Sequence, residues 1–144
     1  MLGPMEGIAL NSNVSKNGSS WGQLLWHILH DKPELVLRKG AMLFSSGEVA
    51  AASYGFGITS QELKAIKEAM DSSNHRETIH IQGVTYCVKV TTPNTLLAWN
   101  GGKYLIVCRS KQLYLVAHCA SRSKKDDARK WLTRFASKLV EQNY

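Results

Sequence analysis

The sequence predicts an α+β domain in which helices pack on the faces of a central antiparallel sheet. Three observations support this prediction. Apolar residues recur at helical spacing near both ends of the chain. A central segment, TIHIQGVTYCVKV, alternates apolar and polar residues around a turn. Further short apolar runs follow it, as expected for consecutive hairpins, which build antiparallel sheets.

The first helix follows a polar stretch. Residues 1–20 include NSNVSKNGSS and are predicted to form a disordered extension, so that residues 21–144 make one folded domain. Ser19 or Ser20 can cap the helix, and Pro33 ends it. The predicted apolar stripe consists of Trp21, Leu24, Leu25, Ile28 and Leu29.

Two short strands and a second helix are predicted next. The apolar runs LVL and AMLFSS precede Gly47, which marks a hairpin turn between strands. The segment TSQE, from Thr59 to Glu62, is a capping box that begins the second helix. Leu63, Ile66 and Met70 then fall on one helical face.

The central hairpin has the clearest register in the sequence, with a two-residue turn at Gln82-Gly83. A slip of one residue would expose its whole apolar set, so that set is predicted to be core. The core face is Ile79, Ile81, Val84, Tyr86, Val88 and Val90. The polar face is Thr78, His80, Thr85, Cys87 and Lys89.

Three more strands and a long helix complete the domain. The strands are TLLAW, KYLIVCR and QLYLVAHC, and the last two form a hairpin across Ser110-Lys111. Asp126 is predicted to cap the final helix, and Asp127 suits its positive N-terminus. The apolar stripe of this helix is Ala128, Trp131, Leu132, Phe135, Ala136, Leu139 and Val140.

The positive charge is confined to the last third of the chain. The net charge is +7, yet residues 1–102 contain eight basic and eight acidic side chains. Residues 103–144 contain ten basic and three acidic ones. This imbalance predicts an acidic partner, either an acidic protein, an anionic lipid or nucleic acid, or else a solvated basic face. Nucleic acid is disfavoured because the strand aromatics have apolar neighbours typical of core positions.

Composition indicates a cytoplasmic protein. No apolar run approaches the length of a membrane span, and no secretory signal is recognisable. Cys87, Cys108 and Cys119 are an odd number without CxxC spacing, which favours reduced thiols.

Catalytic and metal-binding patterns are poor. His80 and Cys87 are diagonal neighbours and could form a nucleophile pair, but a surface histidine beside a small thiol is favoured. His118 and Cys119 point to opposite faces of a strand and lack zinc spacing. The glycines of YGFG are too few for a phosphate loop, and NGGK, at residues 100–103, is better explained as a strand connection. We therefore predict no enzyme activity, catalytic residue, metal or cofactor.

The segments SWGQLL, GITSQEL, HIQG, RSKQLYLVAH and KLVEQNY occur in this order over residues 21–144. As an ordered set they resemble profilin, the small actin-monomer-binding family. The resemblance implies a central sheet with both terminal helices on one face and a short helix on the other. It also implies a monomeric, cytoskeleton-associated protein that limits actin nucleation and supplies monomers to filament ends.

The resemblance implies an actin-binding surface on the sheet strands and the start of the last helix. Thr85 and Trp99 stand where profilins often carry basic side chains, which indicates a divergent member from archaea or a distant eukaryote. The matching positions are Thr85, Cys87, Lys89, Trp99, Lys125, Arg129, Lys130 and Thr133.

The family's polyproline-binding surface is degenerate in this sequence. Trp21 and Tyr144 match its aromatics, and they can meet if the terminal helices pack side by side on the sheet. On pattern alone, a Trp21 that only anchors its helix and a frayed Tyr144 are favoured. Leu24 stands where a tyrosine is usual, Ala50 where a strand tryptophan is expected, and Lys138 where histidine or tyrosine is expected. Binding of proline-rich peptides is therefore predicted to be weak or absent.

Phosphoinositide binding is also implied by the family. The candidate residues are Lys124, Lys125, Arg129 and Lys130. The alternative function is a module that binds phosphoinositides at a membrane surface and does not bind actin.

Overall fold

The computed structural model describes residues 19–71 and 77–144. The predicted disordered extension thus lies almost wholly outside the described residues. The helices are α1 (Ser19–His30), α2 (Ser60–Met70) and α3 (Lys125–Glu141), with one 3-10 turn at Pro33–Leu35. The strands are β1 (Leu37–Phe44), β2 (Val49–Ala52), β3 (Thr78–Ile81), β4 (Val84–Thr91), β5 (Thr95–Asn100), β6 (Lys103–Arg109) and β7 (Leu113–Cys119).

All seven strands form one antiparallel sheet in the order β2-β1-β7-β6-β5-β4-β3. Most neighbours in the sheet are also neighbours in the chain, as expected for consecutive hairpins. The exception is the pairing of β1 with β7, which joins the two ends of the sequence. That pairing brings α1 and α3, which flank these strands in the chain, to the same face of the sheet.

Two apolar cores lie on opposite faces of the sheet, which confirms the predicted α+β fold. One core joins α1 and α3 to the sheet and contains Leu24, Ile28, Met42 and Leu132. The other core lies under α2 and contains Leu63, Ile66, Ile79, Leu105 and Val107. The apolar stripes predicted for the terminal helices form most of their buried sides, since Leu25 and Leu29 of α1 and Phe135 and Leu139 of α3 are buried. Val140 is the exception, because it is 39% exposed and borders the open space between α3 and residues 109–111.

The predicted register of the β3–β4 hairpin is confirmed. Ile79 pairs with Tyr86, and Ile81 pairs with Val84. Gln82 and Gly83 have φ values of +53° and +78°, so both turn residues adopt the left-handed conformation of a tight hairpin.

The predicted capping box of α2 is also present and is linked to this hairpin. The Glu62 N–H donates to Thr59 Oγ1 at 3.0 Å, and the Thr59 N–H donates to Glu62 Oε1 at 2.8 Å. The other oxygen of Glu62 accepts the Gln82 N–H at 2.6 Å. One carboxylate therefore fixes both the start of α2 and the β3–β4 turn.

Four local predictions need correction. Asp126 is not the N-cap of α3, because the turn at residues 121–124 makes Lys124 the cap, without a side-chain hydrogen bond. The LVL run does not form a strand, because Pro33–Leu35 is a 3-10 turn and β1 begins only at Leu37. The β6–β7 hairpin forms, but its connection at residues 110–112 is one residue longer than predicted. Ser20 lies inside α1, so it is not the cap of that helix.

Candidate functional site

The face of the sheet that carries α1 and α3 is only partly covered. α1 lies over β1 and β2, and α3 lies over β6 and β7. On β4, Thr85, Cys87 and Lys89 remain exposed. Cys87 pairs directly with Trp99 of β5, and Trp99 packs at the edge of the α1/α3 core. The exposed side chains of β4 and the partly buried Trp99 therefore form one continuous surface beside the α1/α3 core.

Trp99 lies in a cavity of about 430 Å³ whose apolar wall is formed by Leu97, Trp99 and Tyr104. The Lys89 Nζ atom lies 4.5 Å from the centroid of the Trp99 ring, within the range of a cation–π contact. The cavity is therefore aromatic at its base and carries a cation directly over the indole.

Two further cations lie at the rim of this cavity. The Lys125 Nζ atom lies 5.8 Å from the centroid of the Tyr104 ring, and the Arg122 Nε–H donates to Tyr104 Oη at 3.3 Å. Asp126 supplies a carboxylate that both Lys125 and Arg129 approach at 3.5 Å. We call Thr85, Cys87, Lys89, Trp99, Tyr104, Arg122 and Lys125 the Trp99 surface.

The remaining predicted residues of α3 are divided between its two sides. Thr133 faces β6, where its hydroxyl donates to the Arg129 carbonyl at 2.8 Å and lies 3.4 Å from Cys108 Sγ. Lys124 and Lys130 instead line a cavity of about 240 Å³ around Trp131, on the side of α3 toward the 3-10 turn. Lys130 is therefore separated from the Trp99 surface, although Arg129 borders that surface.

The Trp131 cavity also contains two cations that the sequence did not single out. The Lys32 Nζ atom and the Arg134 Cζ atom lie 5.2 Å and 5.8 Å from the Trp131 ring centroid. The Trp131 Nε1–H donates to the Ile28 carbonyl at 2.9 Å, which fixes the indole between α3 and α1. Glu34 and Asp127 line the same cavity, so its charge is mixed.

The buried thiols and the buried imidazole are unsuited to nucleophilic chemistry. Burial raises the pKa of Cys108 to about 11, although the hydrogen bond from Thr133 and the charge of Arg129 act in the opposite direction. Burial also raises the pKa of Cys119. Burial, then the charges of Lys39 and Lys103, lower the pKa of His118, so its ring stays neutral near pH 7.

The other candidate chemistry is likewise weak. His80 Nδ1 lies 2.8 Å from Thr85 Oγ1, so the nearest hydrogen-bond partner of His80 is Thr85 and not Cys87. NGGK forms a strand connection, as predicted, because Asn100 pairs with Lys103 across two glycines. Within residues 19–71 and 77–144, no three His, Cys, Asp or Glu side chains are grouped to hold a metal ion.

The aromatic residues at the ends of the terminal helices do meet, and a third aromatic ring joins them. The Trp21 ring centroid lies 5.1 Å from that of Tyr144 and 6.1 Å from that of Phe44. Both contacts are edge-to-face, a favourable arrangement for aromatic pairs. We call these three residues the Trp21 cluster.

The other positions implied for polyproline binding do not extend this cluster as a platform. Leu24 is 1% exposed and belongs to the core, so its side chain offers no surface to a ligand. Ala50 packs against the same core, and Lys138 is exposed and carries no ring. The Ser110 hydroxyl donates to the Tyr144 carbonyl at 2.8 Å and helps to hold the chain end in place.

Sequence reasoning missed five side chains of these sites: Phe44, Tyr104, Arg122, Lys32 and Arg134. Phe44 and Tyr104 were assigned to strands or the core, and nothing in their local pattern distinguishes a core ring from one at the core edge. Lys32 and Arg122 lie in or beside turns, and only the folded chain brings them to the aromatic rings. Arg134 lies within α3, three residues after Trp131, so helical spacing alone could have placed it beside that ring.

The sequence model of the profilin family matches residues 19–144, which is nearly all of the chain. The chain belongs to the profilin family. The match begins at the first residue of α1 and ends at Tyr144. A comparison with curated proteins gave no significant match.

Solved profilin structures share this fold at low sequence identity. Profilin II of Acanthamoeba castellanii has a TM-score of 0.76 at 17% identity, and the alignment covers 86% of this chain and 99% of that one. The profilin of Schizosaccharomyces pombe has a TM-score of 0.74 at 21% identity, with coverages of 84% and 97%. LokiProfilin1 in complex with rabbit actin has a TM-score of 0.66 at 18% identity, with coverages of 83% and 96%.

Among the described residues of this profilin, no helix is both long enough and apolar enough to cross a bilayer.

Proposed function

We propose that this profilin binds monomeric actin through the Trp99 surface, and thereby limits spontaneous nucleation and supplies monomers to growing filament ends. Family membership supports this proposal, and two similar structures are profilins in complex with rabbit actin. The observation that carries it is the Trp99 cavity: a partly buried indole, open to solvent and rimmed by Lys89, Arg122 and Lys125.

The chemistry of this surface suits an acidic protein partner. A tryptophan that is partly buried against a rigid core can be fully desolvated by a partner at little entropic cost, and such residues often dominate interface energetics. The surrounding cations would mainly accelerate association and orient the partner. This arrangement gives the basic last third of the chain a role beyond solubility.

The test is a titration of the protein into fluorescently labelled monomeric actin, followed by a polymerisation assay. We expect saturable binding and a longer lag before polymerisation. Trp99→Ala should weaken binding by roughly tenfold or more. Trp26→Ala is the matched control, because Trp26 is 57% exposed on the outer side of α1, away from the Trp99 surface.

Absence of saturable binding to actin would contradict the proposal. So would an equal loss of affinity in Trp99→Ala and Trp26→Ala, since the binding would then not depend on the Trp99 surface. Thermal unfolding of both variants would establish that each is folded under the assay conditions.

Weak or absent binding of proline-rich peptides is the second part of the proposal. The Trp21 cluster supplies aromatic rings, but Lys138 and Ala50 supply none. Titration with a polyproline peptide, followed by tryptophan fluorescence, should give little or no saturable change. Lys138→Tyr adds an exposed ring on α3 and should strengthen binding, whereas tight binding by the unaltered chain would contradict this interpretation.

Phosphoinositide binding is a second candidate function, supported by the Trp131 cavity. Lys32, Lys124, Lys130 and Arg134 line this cavity together with two acidic residues. Vesicles with and without phosphatidylinositol bisphosphate would test it in a salt series, because charge-driven binding weakens as salt rises. If Lys130→Glu leaves vesicle binding unchanged, the Trp131 cavity is not the lipid site.

A further inference from the structure

One carboxylate stands among the cations of the Trp99 cavity. The charged side chains among the described residues that line this cavity are Lys89, Arg122, Lys125 and Asp126. Arg129 reaches the same place, because its Nη2 atom lies 3.5 Å from Asp126 Oδ1. Asp126 is therefore an acidic residue on a surface whose other charged groups suit an acidic partner.

The contacts of Asp126 are those of a weak surface ion pair. Its Oδ2 atom lies 3.5 Å from Lys125 Nζ, and its Oδ1 atom lies at the same distance from Arg129 Nη2. Strong charge-assisted hydrogen bonds are shorter, at about 2.7–2.9 Å. The Asp126 side chain is also 56% exposed, whereas each of its two partners is 29% exposed. Exposed pairs contribute little to stability, so a carboxylate of another protein can replace Asp126 at these cations.

Asp126 is not needed as the cap of α3. The cap is Lys124, and the first turn contains a second acidic residue, Asp127. Either carboxylate interacts favourably with the positive end of the helix dipole. Asp127, however, lines the Trp131 cavity, on the other side of the helix. The two residues thus have the same effect on the helix and differ in the surface that they face.

The position of Asp126 opposes the approach of an acidic partner. Each of its oxygens lies near a cation that such a partner would contact, so Asp126 offsets part of the charge that attracts the partner. Its own charge also repels the carboxylates of the partner at short range. Charges at the rim of an interface act mainly on the association rate and on its dependence on salt.

We propose that Asp126 weakens actin binding, because it competes with an acidic group of actin for Lys125 and Arg129. This inference rests on the proposed binding of actin to the Trp99 surface and adds a regulation of that same surface. In the free protein the two cations pair with Asp126, and in the complex they pair with actin. The competition keeps the affinity below the value that the Trp99 surface could otherwise reach, which favours release of the monomer at a filament end.

The test compares the unaltered protein with Asp126→Asn and Asp127→Asn. Each variant removes one negative charge from the first turn of α3 and keeps the shape of the side chain, so Asp127→Asn is the matched control. Stopped-flow fluorescence with labelled monomeric actin gives the association rate and the affinity. Asp126→Asn should raise both roughly threefold or more at low salt, and Asp127→Asn should raise them less. The gain should shrink at high salt, because salt screens exposed charges.

A double-mutant cycle tests whether Asp126 acts through Arg129. Arg129→Gln should reduce the affinity by a larger factor in the Asp126→Asn protein than in the unaltered protein, because Arg129 is then no longer shared with Asp126. Equal losses in the two proteins would contradict the competition. Urea unfolding serves as the control for folding, and the two Asp variants should be destabilised to a similar, small extent, since each loses one favourable charge at the start of α3.

The possible results distinguish this inference from the proposed function. If none of the three proteins binds actin saturably, both are contradicted. If actin binds and Asp126→Asn leaves the affinity unchanged or lowers it, only this inference is overturned, since Asp126 would then have no effect or would orient the cations. An equal gain in Asp126→Asn and Asp127→Asn would also overturn it, because the net charge, and not the position of Asp126, would explain the gain.

Discussion

Trp21 and Trp99 both pack at the edge of the same apolar core, yet they lie in opposite surroundings. Trp21 is enclosed by two other aromatic rings, those of Phe44 and Tyr144. Trp99 is approached by the ammonium group of Lys89 and opens onto a cavity with a cationic rim. The comparison shows that the neighbours of a tryptophan, more than the residue type, decide whether it closes a core or offers a surface.

The register of the sheet places these two regions at opposite ends of the strands. Phe44 pairs with Leu113, at the start of β7. Trp99 pairs with Tyr104, which in turn pairs with Cys119, at the end of β7. A ligand at one end therefore does not cover the other, and the two regions can be tested separately by substitution.

The largest expected effect concerns Leu24, which lies beside the Trp21 cluster in sequence but is buried in the core. Leu24→Ala should lower the free energy of unfolding by about 2–5 kcal/mol, because it removes buried methyl groups and leaves a cavity. Urea unfolding monitored by circular dichroism measures this. A loss below about 1 kcal/mol would indicate that Leu24 is a surface position of a groove and would break the comparison.

The second prediction concerns Cys108. Its thiol is buried under α3 beside Thr133, whereas the exposed Cys87 belongs to the Trp99 surface. Its pKa is raised from 9.0 to about 11, so folding favours the protonated thiol. The stability that this group contributes is present below about pH 9 and is lost as the pH rises toward 11, since the unfolded state releases the proton more readily.

The size of this pH effect is measured against a variant that cannot titrate at this position. Relative to Cys108→Ala, the unaltered chain should lose about 2 kcal/mol of unfolding free energy between pH 9 and pH 11. Urea titrations at the two pH values test this. Parallel pH profiles for the two proteins would mean that the thiol is accessible to water and that α3 does not seal this side of the core.

The smallest expected effect separates the two sides of α3. Arg129→Glu should weaken actin binding by about 1 kcal/mol, because Arg129 borders the Trp99 surface through Asp126. Lys130→Glu makes the same charge change on the side of the Trp131 cavity and should have less effect on affinity. Actin titrations at two salt concentrations measure both, and a larger effect for Lys130→Glu would move the proposed interface across the helix.

Elements set by local pattern were predictable from the sequence. The alternation around Gln82-Gly83 has only one register that buries Ile79 and Tyr86, so the hairpin could be derived. The capping box could also be derived, since Thr59 and Glu62 contact each other within one helical turn.

Features set by distant contacts were not predictable in the same way. The contact of Lys89 with Trp99 depends on the β4–β5 register, which shifts between Val88 and Val90. The prediction for Asp126 failed because it treated the first acidic residue as the cap, whereas the preceding backbone turn had already begun the helix. The resemblance to profilins pointed to the residues of α3, but it could not tell which side of the helix each one faces.

The most direct test of the central claim uses Cys87, which is exposed on the Trp99 surface, whereas Cys108 and Cys119 are buried. The rate at which iodoacetamide alkylates Cys87 is measured by mass spectrometry with and without a saturating amount of monomeric actin. If actin binds at the Trp99 end of the sheet, alkylation of Cys87 should slow markedly in the complex. Saturable actin binding with an unchanged alkylation rate at Cys87 would contradict this account and would place actin elsewhere on the molecule.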